Sequence, residues 1–496
     1  MGFWSIVPPA LAIGLSMLTR QVHLSLFAGL WLGASLLAGG HPLRGLADAL
    51  ERCVAVFADA GNTRVVLFTA LVGAVITLGR RAGGVDGFVR WVTERRLVDT
   101  PRRARMLSWG LGVLVFVESS ITVLVNGAVC RPLFERQRVS RAKLAYLADA
   151  TSAPVCLLIP LNAWGAYVTQ LLAAEGVADP VSALFGSVVF AFYPLFAVAL
   201  ALYVAWTGWD LGPMRRAEQA VFSGSAVDGA GARGKTSATQ ATEQPAKPVP
   251  ASDARKRPAE SAPVLATDPG AQRFPGSRAR ARDFVLPVLV MVVMMPVGLL
   301  VTGRGSLAAG SGSTAVLWAV LSAIATSALL LLASRQATLS EVTQAAFAGV
   351  GELVPLAALM VLAFAIGAIC RDLETGRFVA SLSQAAVPAV LAPALVFLLG
   401  ALTAFATGTS WGTFALIVPI AVALASATPD ASLAVYVGAA LSGGVFGDHC
   451  SPISDTTIIA STASGCDHVE HVVTQLPYAL AAGAAATLAY VVAGAA

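Results

Sequence analysis

Long apolar runs dominate this sequence and restrict it to a membrane fold. Runs long enough to cross a bilayer of about 30 Å as helices recur along the whole chain. Only 12% of the residues are charged, against about 25% in soluble globular proteins. The runs are rich in Ala and Leu and lack the alternating pattern of a membrane β-strand. The sequence therefore predicts an all-α polytopic membrane protein.

Ten apolar runs are predicted to cross the membrane. They cover residues 4–18, 24–39, 65–78, 144–170 and 181–207 in the first half, and 284–302, 315–333, 350–370, 433–463 and 476–493 in the second. The first run follows no basic segment and shows no clear cleavage site, so we expect it to be retained as a helix. Two further apolar stretches, residues 106–130 and 389–427, are each interrupted by polar residues.

A polar segment at residues 210–282 separates the two halves, which cover residues 1–209 and 283–496. The segment is rich in Ala, Gly, Ser, Pro and charge, and its 12 Lys or Arg against 7 Asp or Glu account for the net charge of +5. Such a composition buries too little apolar surface to fold, so we expect a disordered linker. Because the basicity belongs to this linker, nothing indicates a nucleic-acid partner.

Positive charge in the short loops predicts the orientation of the chain. Residues 80–105 carry eight arginines, and residues 131–143 carry five Lys or Arg against one Glu. We therefore expect both loops and the linker in the cytoplasm of a bacterium, with the protein in its inner membrane. Residues 106–130 then enter and leave on the same side, as a re-entrant hairpin with its tip at Glu118, Ser119 and Ser120.

The two halves repeat one order of elements. Each contains a helix, a hairpin with a hydroxyl-rich tip, and a helix broken by Asp, Ser and Pro. We expect the break at residues 149–154, with Pro154, to be the counterpart of the break at residues 448–452, with Pro452, since proline interrupts helical hydrogen bonding. The crossing count makes the halves inverted-topology repeats, as in many secondary transporters.

Residues 447–457, with the sequence GDHCSPISDTT, place two carboxylates where a membrane helix is expected. Ionisable groups at that depth cost about 2.5–3.5 kcal/mol each on insertion scales and usually mark functional sites. A helix that unwinds at a proline also frees backbone carbonyls that can bind Na⁺. A carboxylate removed from water holds a proton more tightly, so a proton and a cation can compete for it.

The candidate site residues come from the two hairpin tips and the two broken helices. The ion- or proton-binding candidates are Asp448, Asp455, Asp149 and Glu118, and the coordination or substrate candidates are Ser451, Ser454, Thr456, Ser119, Ser120, Thr409, Ser410, Ser152, His449 and Asn162. Each could instead serve as a helix cap or a packing group. The six cysteines show no CxxC spacing, so we expect no structural metal and no cofactor.

Several of these segments resemble one transporter family. Residues 447–457 resemble the signature of the NhaC-type sodium/proton antiporters of the ion transporter superfamily, and residues 407–413, TGTSWGT, resemble the family's second hairpin. Residues 131–133 and 140–146 resemble the family's loop after the first hairpin, and residues 149–155 and 162–164 resemble its first broken helix, although more loosely. The resemblance implies inverted repeats, re-entrant hairpins and a sodium-linked carrier. One departure is that family members often have paired acids at the first hairpin, where Ser119 follows Glu118 here.

We expect a secondary antiporter, not an enzyme, that lies in the lipid bilayer and exchanges Na⁺ or Li⁺ for H⁺ across it. The protein could form a homodimer. The main alternative is a Na⁺- or H⁺-coupled exchanger of a small organic acid or amino acid, for which Asn126, Asn162 and His449 are the candidate carboxylate-binding groups. A membrane-embedded hydrolase or metalloenzyme would need a second histidine in the motif. A structural scaffold would not need intramembrane acids.

Overall fold

The computed structural model describes residues 2–19, 21–84, 87, 88, 90, 98–116, 118–222, 273–306, 310–375, 378, 388–428 and 431–495. All regular structure in these ranges is helical. Seven helices are long and apolar enough to cross a membrane, and two bent helix pairs could each add one more. The predicted all-α polytopic fold is confirmed.

The helices of the first half begin with four that precede the hairpin and end with a bent pair. They are α1 Val7–Thr19, α2 Val22–Leu37, α3 Pro42–Ala55, α4 Ala60–Arg81, α5 Pro101–Leu114, α6 Ser119–Arg136, α7 Arg141–Ala150, α8 Ala153–Leu158, α9 Ala163–Ala174, α10 Pro180–Val188 and α11 Phe192–Thr207. The chain bends by 119° between α2 and α3 and by 43° between α10 and α11.

The second half follows a short helix, α12, that lies at the start of the predicted linker. The helices are α12 Pro213–Phe222, α13 Arg282–Thr302, α14 Gly312–Ala333, α15 Leu339–Asp372, α16 Ala392–Thr407, α17 Ser410–Ala427, α18 Leu433–Cys450, α19 Asp455–Ser464 and α20 His468–Ala495.

The predicted linker is ordered at both ends. Its centre, residues 223–272, lies outside the described residues. α12 is docked because the buried Lys143 Nζ lies 2.7 Å from the Asp210 carboxylate and 3.4 Å from Glu218. At the other end, the backbone N–H of Phe274 donates to the Arg81 carbonyl at 3.1 Å. The expectation of disorder is therefore wrong for these flanks, where buried charge pairs and backbone bonds hold the chain.

The two halves are inverted repeats, because counterpart helices run in opposite directions. α4 and α15 hold the same place in the two halves and pack against each other. The start of α4 lies beside α9, where Gly61 contacts the Gln170 side chain. The end of α15 lies beside the end of α9, where Arg371 pairs with Glu175 at 3.3 Å. Thus α4 starts at the face where α15 ends, which we call the Glu175 face.

The opposite side of the protein carries the basic residues expected in the cytoplasm, and we call it the basic face. The end of α4 meets the start of the second half there, through the Arg81 carbonyl. The start of α7 meets the end of α19, where Arg141 Nη1 donates to the Gly465 carbonyl at 3.1 Å. α7 therefore begins, and α19 ends, at the same face.

Each half contains a helical hairpin, formed by α5 with α6 and by α16 with α17, and the predicted re-entrant hairpins are confirmed. The second hairpin turns at Gly408, whose φ of +68° is left-handed. A Cβ at Gly408 would lie 2.6 Å from the Ile453 carbonyl oxygen, so the turn needs glycine. Since Ser119 and Ser410 both begin the second arm, these two serines correspond to each other.

A broken helix follows each hairpin, but the predicted pairing of the two breaks is wrong. In the second half, residues 451–454 separate α18 from α19. In the first half, α7 and α8 together match α18 in length, and residues 159–162 then separate them from α9. The counterpart of Pro452 is therefore Pro160. The expected break at residues 149–154 is only a two-residue interruption between α7 and α8, which together correspond to α18. Pro154 lies in the first turn of α8, where the missing backbone N–H of proline costs little.

The crossing of α4 and α15 generates a prediction about stability. A Cβ at Gly73 would lie 2.0 Å from the Gly349 carbonyl oxygen, whereas one at Gly110 of α5 would meet nothing within 4 Å. We expect Gly73→Ala to lower the free energy of unfolding by about 1–3 kcal/mol, because the helices must separate. Gly110→Ala should be neutral or stabilising. Melting temperatures in detergent test this pair, and equal melting temperatures would contradict the contact.

Candidate functional site

In each half, the hairpin contacts the broken helix of the same half inside the protein. In the first half, the Phe116 carbonyl at the tip accepts from Asn162 Nδ2 at 3.0 Å and contacts Cys156 Sγ at 3.3 Å. In the second half, the Phe405 carbonyl accepts from Ser451 Oγ at 2.7 Å. These contacts bring candidate residues from four separate segments into one region.

Asp448 lies near the end of α18 and is buried, with 2% of its surface exposed. Its Oδ2 accepts from Ser410 Oγ at 2.6 Å. The same Ser410 hydroxyl lies 3.2 Å from the Gly444 carbonyl oxygen. The Ser454 hydroxyl lies beside the same carboxylate and 3.0 Å from Thr456 Oγ1. Asp448 Oδ1 has no hydrogen-bond partner among the described residues.

Asp149 of α7 is the most deeply buried acid of the first repeat, with 1% of its surface exposed. It follows Arg141 by eight residues, which places it about 12 Å from the basic face along the helix. Its Oδ2 accepts from Gln475 Nε2 at 2.8 Å and from Thr457 Oγ1 at 3.2 Å, and lies 3.4 Å from His471 Nε2. All three partners belong to the second repeat, so Asp149 joins the two repeats.

Asp455 and Glu118 complete the group of acids. Asp455 begins α19, and its Oδ1 accepts from the neighbouring Thr456 N–H at 2.8 Å. The carboxylates of Asp448, Glu118 and Asp149 all lie within electrostatic range of it. Asp455 is exposed although it lies deep among these groups, so it borders an open space. The Oε1 of the buried Glu118 accepts from Ser119 Oγ at 3.2 Å.

His449 is held by a phenol group rather than by an acid. Its Nδ1 lies 2.5 Å from the hydroxyl of Tyr193 on α11, and its backbone carbonyl accepts from Gln475 Nε2 at 2.6 Å. The other ring nitrogen, Nε2, has no hydrogen-bond partner within the part of the chain that the structure describes. The imidazole is therefore fixed in orientation between the two broken helices.

Several predicted coordination residues bond to backbone instead. Ser152 Oγ donates to the Asp149 carbonyl at 2.7 Å, and the carbonyl of Thr409 accepts from Thr413. Ser120 is half-buried on α6. Pro452 is exposed, and its carbonyl lies 2.7 Å from His468 Nε2. The structure thus brings the four acids together with Ser410, Ser454 and Thr456, whereas the hydroxyls of Ser152 and Ser451 bond to backbone carbonyls.

Asn162 is a structural residue of the first break. Its Nδ2 contacts the carbonyls of Phe116, Cys156 and Ile159, and its Oδ1 accepts from the N–H groups of Trp164 and Gly165. These contacts occupy both ends of the amide. Asn126 is occupied likewise, because it exchanges two hydrogen bonds of 2.8 Å with Ser108 across the first hairpin.

Three site residues were not predicted from the sequence. Gln475 and His471 stand four residues apart at the start of α20, so they share one helix face, and this spacing before an apolar run was an available signal. Tyr193 lies within an apolar run and gave no signal.

The charges of the site are almost entirely negative. In the described ranges, neither Asp448 nor Asp455 forms an ion pair with Lys or Arg. Asp149 pairs with an imidazole, that of His471, which is cationic only when it is protonated. A buried carboxylate without a cationic partner is expensive unless it binds a proton or a cation. The arrangement can therefore hold protons or small cations among carboxylate, hydroxyl and carbonyl oxygens.

Comparison with known proteins identifies the family. The family model of the Na⁺/H⁺ antiporter family matches residues 175–495. An uncharacterized protein of Haemophilus influenzae is 32% identical over 515 aligned residues, which cover 99% of this chain and 91% of that protein. The chain belongs to the Na⁺/H⁺ antiporter family. The resemblance to NhaC-type antiporters is thereby confirmed.

Other relatives of this family member match over shorter stretches. An uncharacterized Na⁺/H⁺ antiporter of H. influenzae is 47% identical over 74 residues, 15% of this chain and 16% of that protein. The malate-2H⁺/Na⁺-lactate antiporter of Bacillus subtilis is 48% identical over 69 residues, 14% of each chain. The fold is similar to that of the YdaH transporter of Alcanivorax borkumensis, with 16% sequence identity and a TM-score of 0.55. The matched region covers 96% of this chain and 97% of that transporter. The protein is a multi-pass secondary transporter.

The role of Asn162 leads to a test that is separate from ion binding. We expect Asn162→Ala to lower the free energy of unfolding by about 2–4 kcal/mol, because it removes a helix cap and leaves buried carbonyls unpaired. Asn62→Ala is the control, since the described structure gives the Asn62 side chain no hydrogen bond. Melting temperature and monodispersity on size exclusion report the result. An Asn162→Ala protein as stable as Asn62→Ala would contradict the structural role.

Proposed function

We propose that this transporter exchanges Na⁺ for H⁺ across the bacterial cytoplasmic membrane, with Li⁺ as a second candidate cation. The observation that carries the proposal is the environment of Asp448, a buried carboxylate whose Oδ2 accepts from the Ser410 hydroxyl and whose Oδ1 has no hydrogen-bond partner among the described residues. Asp455, Asp149 and Glu118 are the partner acids. The basic face lies in the cytoplasm, as does the segment between the two halves, because basic loops stay on that side.

Ser410 allows Asp448 to be stable in two protonation states. When Asp448 is ionised, Ser410 Oγ donates to it across the 2.6 Å contact. When Asp448 is protonated, its O–H can donate to Ser410, which in turn donates to the Gly444 carbonyl 3.2 Å away. A hydroxyl both donates and accepts, so the same side chains serve both states. This supports competition between a proton and a cation for one carboxylate.

The ligands around Asp448 suit Na⁺. A hard cation prefers oxygen, by analogy with Ca²⁺ and Mg²⁺. Asp448 Oδ1, the hydroxyls of Ser454 and Thr456, and the carbonyls of the break at residues 451–454 are all oxygen donors. Asp455 begins α19 next to an open space and is the acid through which a hydrated cation could first be attracted. The H. influenzae relative described as a Na⁺/H⁺ antiporter supports this assignment.

Exchange of a small organic acid with Na⁺ or H⁺ is the second candidate function. The similarity to the malate-2H⁺/Na⁺-lactate antiporter of B. subtilis is the observation that favours it. A carboxylate substrate needs a cationic or amide partner near the site. Asn126 and Asn162 are already occupied by structural hydrogen bonds, which leaves His449, His471 and Gln475. The Na⁺/H⁺ proposal requires no such group.

Removing the charge of Asp448 tests the main proposal. We expect Asp448→Asn to abolish Na⁺-driven proton movement in proteoliposomes, because an amide cannot trade a proton for a cation. Asp179→Asn is the matched control, since Asp179 is an exposed helix cap and Asn caps a helix equally well. The control should exchange at the rate of the unmodified protein. Full exchange by Asp448→Asn would refute the role of Asp448.

The choice of substrate is tested by transport of the unmodified protein. Proteoliposomes with a Na⁺, Li⁺ or K⁺ gradient are compared with and without lactate or malate inside. We expect proton movement with Na⁺ alone, no stimulation by either anion, and little response to K⁺, whose larger radius fits a compact oxygen site poorly. Proton or Na⁺ movement that requires lactate or malate would instead establish the second candidate function.

A further inference from the structure

Gln475 on α20 has an amide whose orientation is fixed by its neighbours. The side chain is 1% exposed. Its Nε2 donates to Asp149 Oδ2 at 2.8 Å and to the His449 carbonyl at 2.6 Å. Both neighbours accept hydrogen bonds when Asp149 is ionised, so the nitrogen and not the oxygen of the amide must face them. Both hydrogens of the amide are then used.

This amide joins the two repeats at their functional centres. Asp149 belongs to α7 of the first repeat, while His449 directly follows Asp448 on α18 of the second. A single side chain therefore ties the buried acid of one repeat to the backbone beside the buried acid of the other. Displacement of either broken helix must stretch or break one of the two bonds.

The oxygen of the same amide is left without a partner. Gln475 Oε1 is buried and has no partner at hydrogen-bond distance in the part of the chain that the structure describes, with the His449 ring as its polar neighbour. Covalent geometry of the amide keeps it within about 5 Å of Asp149 Oδ2. Asp149 Oδ1 is likewise buried and unpartnered. A buried acceptor without a partner costs about 1–3 kcal/mol, so a cation that reached both oxygens would remove this cost.

We propose that Gln475 is a ligand of the transported alkali cation and helps to select it, an inference that rests on the proposed exchange function. Its two N–H groups hold Asp149 and the His449 carbonyl in place, and its Oε1 supplies a neutral oxygen ligand beside the Asp149 carboxylate. An amide oxygen is a suitable ligand for a hard monovalent cation. Because the amide touches both broken helices, it places this ligand relative to both.

Two substitutions separate the oxygen of Gln475 from its N–H groups. Gln475→Ala removes both functions, whereas Gln475→Glu supplies oxygen but no amide N–H. If the oxygen binds the cation, Ala raises the KM for Na⁺ by about tenfold or more, and Glu raises it less than Ala does. If the amide acts only as a donor, Glu is at least as harmful as Ala, because it places a second carboxylate 2.8 Å from Asp149. Both are measured in proteoliposomes between pH 7 and 9.

Matched controls and a selectivity measurement complete the experiment. Gln344→Ala and Gln344→Glu change an exposed glutamine of α15 that contacts Ser340 and should leave KM unchanged. Melting temperatures of all four variants correct for stability. We also expect Gln475→Ala to change the ratio of the KM values for Li⁺ and Na⁺ by more than threefold, which a purely structural defect would not do.

The possible results separate this inference from the proposed function. A lower KM for Gln475→Glu than for Gln475→Ala, together with a changed Li⁺/Na⁺ ratio, supports the inference. Equal or reversed KM values, or an unchanged ratio, overturn it even when the unmodified protein exchanges Na⁺ for H⁺. If the unmodified protein moves no protons in response to Na⁺ or Li⁺, the proposed function fails first, and the inference fails with it.

Discussion

Irregular backbone inside a membrane has to be satisfied by protein groups, and the contact between hairpin tips and broken helices meets that requirement here. The Phe116 carbonyl at one tip accepts from Asn162, and the Phe405 carbonyl near the other accepts from Ser451. Each break is thus closed by a residue that lies in the break itself. The hairpins are held at the depth of the breaks, and the candidate acids lie there as a result.

The two repeats share this architecture but not its chemistry. Cys156 and Ala163 of the first repeat occupy the positions that Asp448 and Asp455 hold in the second, since the helices before both breaks match in length. Asn162 uses both ends of its amide to close the first break, whereas Ser454 at the equivalent position lies beside the Asp448 carboxylate. Inverted repeats supply the frame, and different residues at equivalent positions place acids beside the second break and none at the matching positions of the first.

Composition and charge were enough to predict the membrane fold, the inverted halves and the hairpins. The length of an apolar run predicts a membrane helix, and the arginines of a loop predict its side of the membrane, without knowledge of contacts elsewhere in the chain. The pairing of the breaks could not be predicted from Pro154 and Pro452, since proline in the first turn of a helix does not interrupt it. Pro160 is the true counterpart of Pro452. Gln475 and Tyr193 were missed because their role depends on contacts between helices far apart in the sequence.

The partners of the two buried acids decide which one can exchange its proton for a cation with the least rearrangement. Asp149 is bonded by N–H donors and a hydroxyl, and an N–H group cannot turn to ligate a cation. Asp448 is bonded by the hydroxyl of Ser410, with that of Ser454 beside it, and each hydroxyl oxygen can ligate a cation as readily as it donates to a carboxylate. The exchange we propose therefore needs the least rearrangement at Asp448, while Gln475 would add a neutral oxygen ligand beside Asp149.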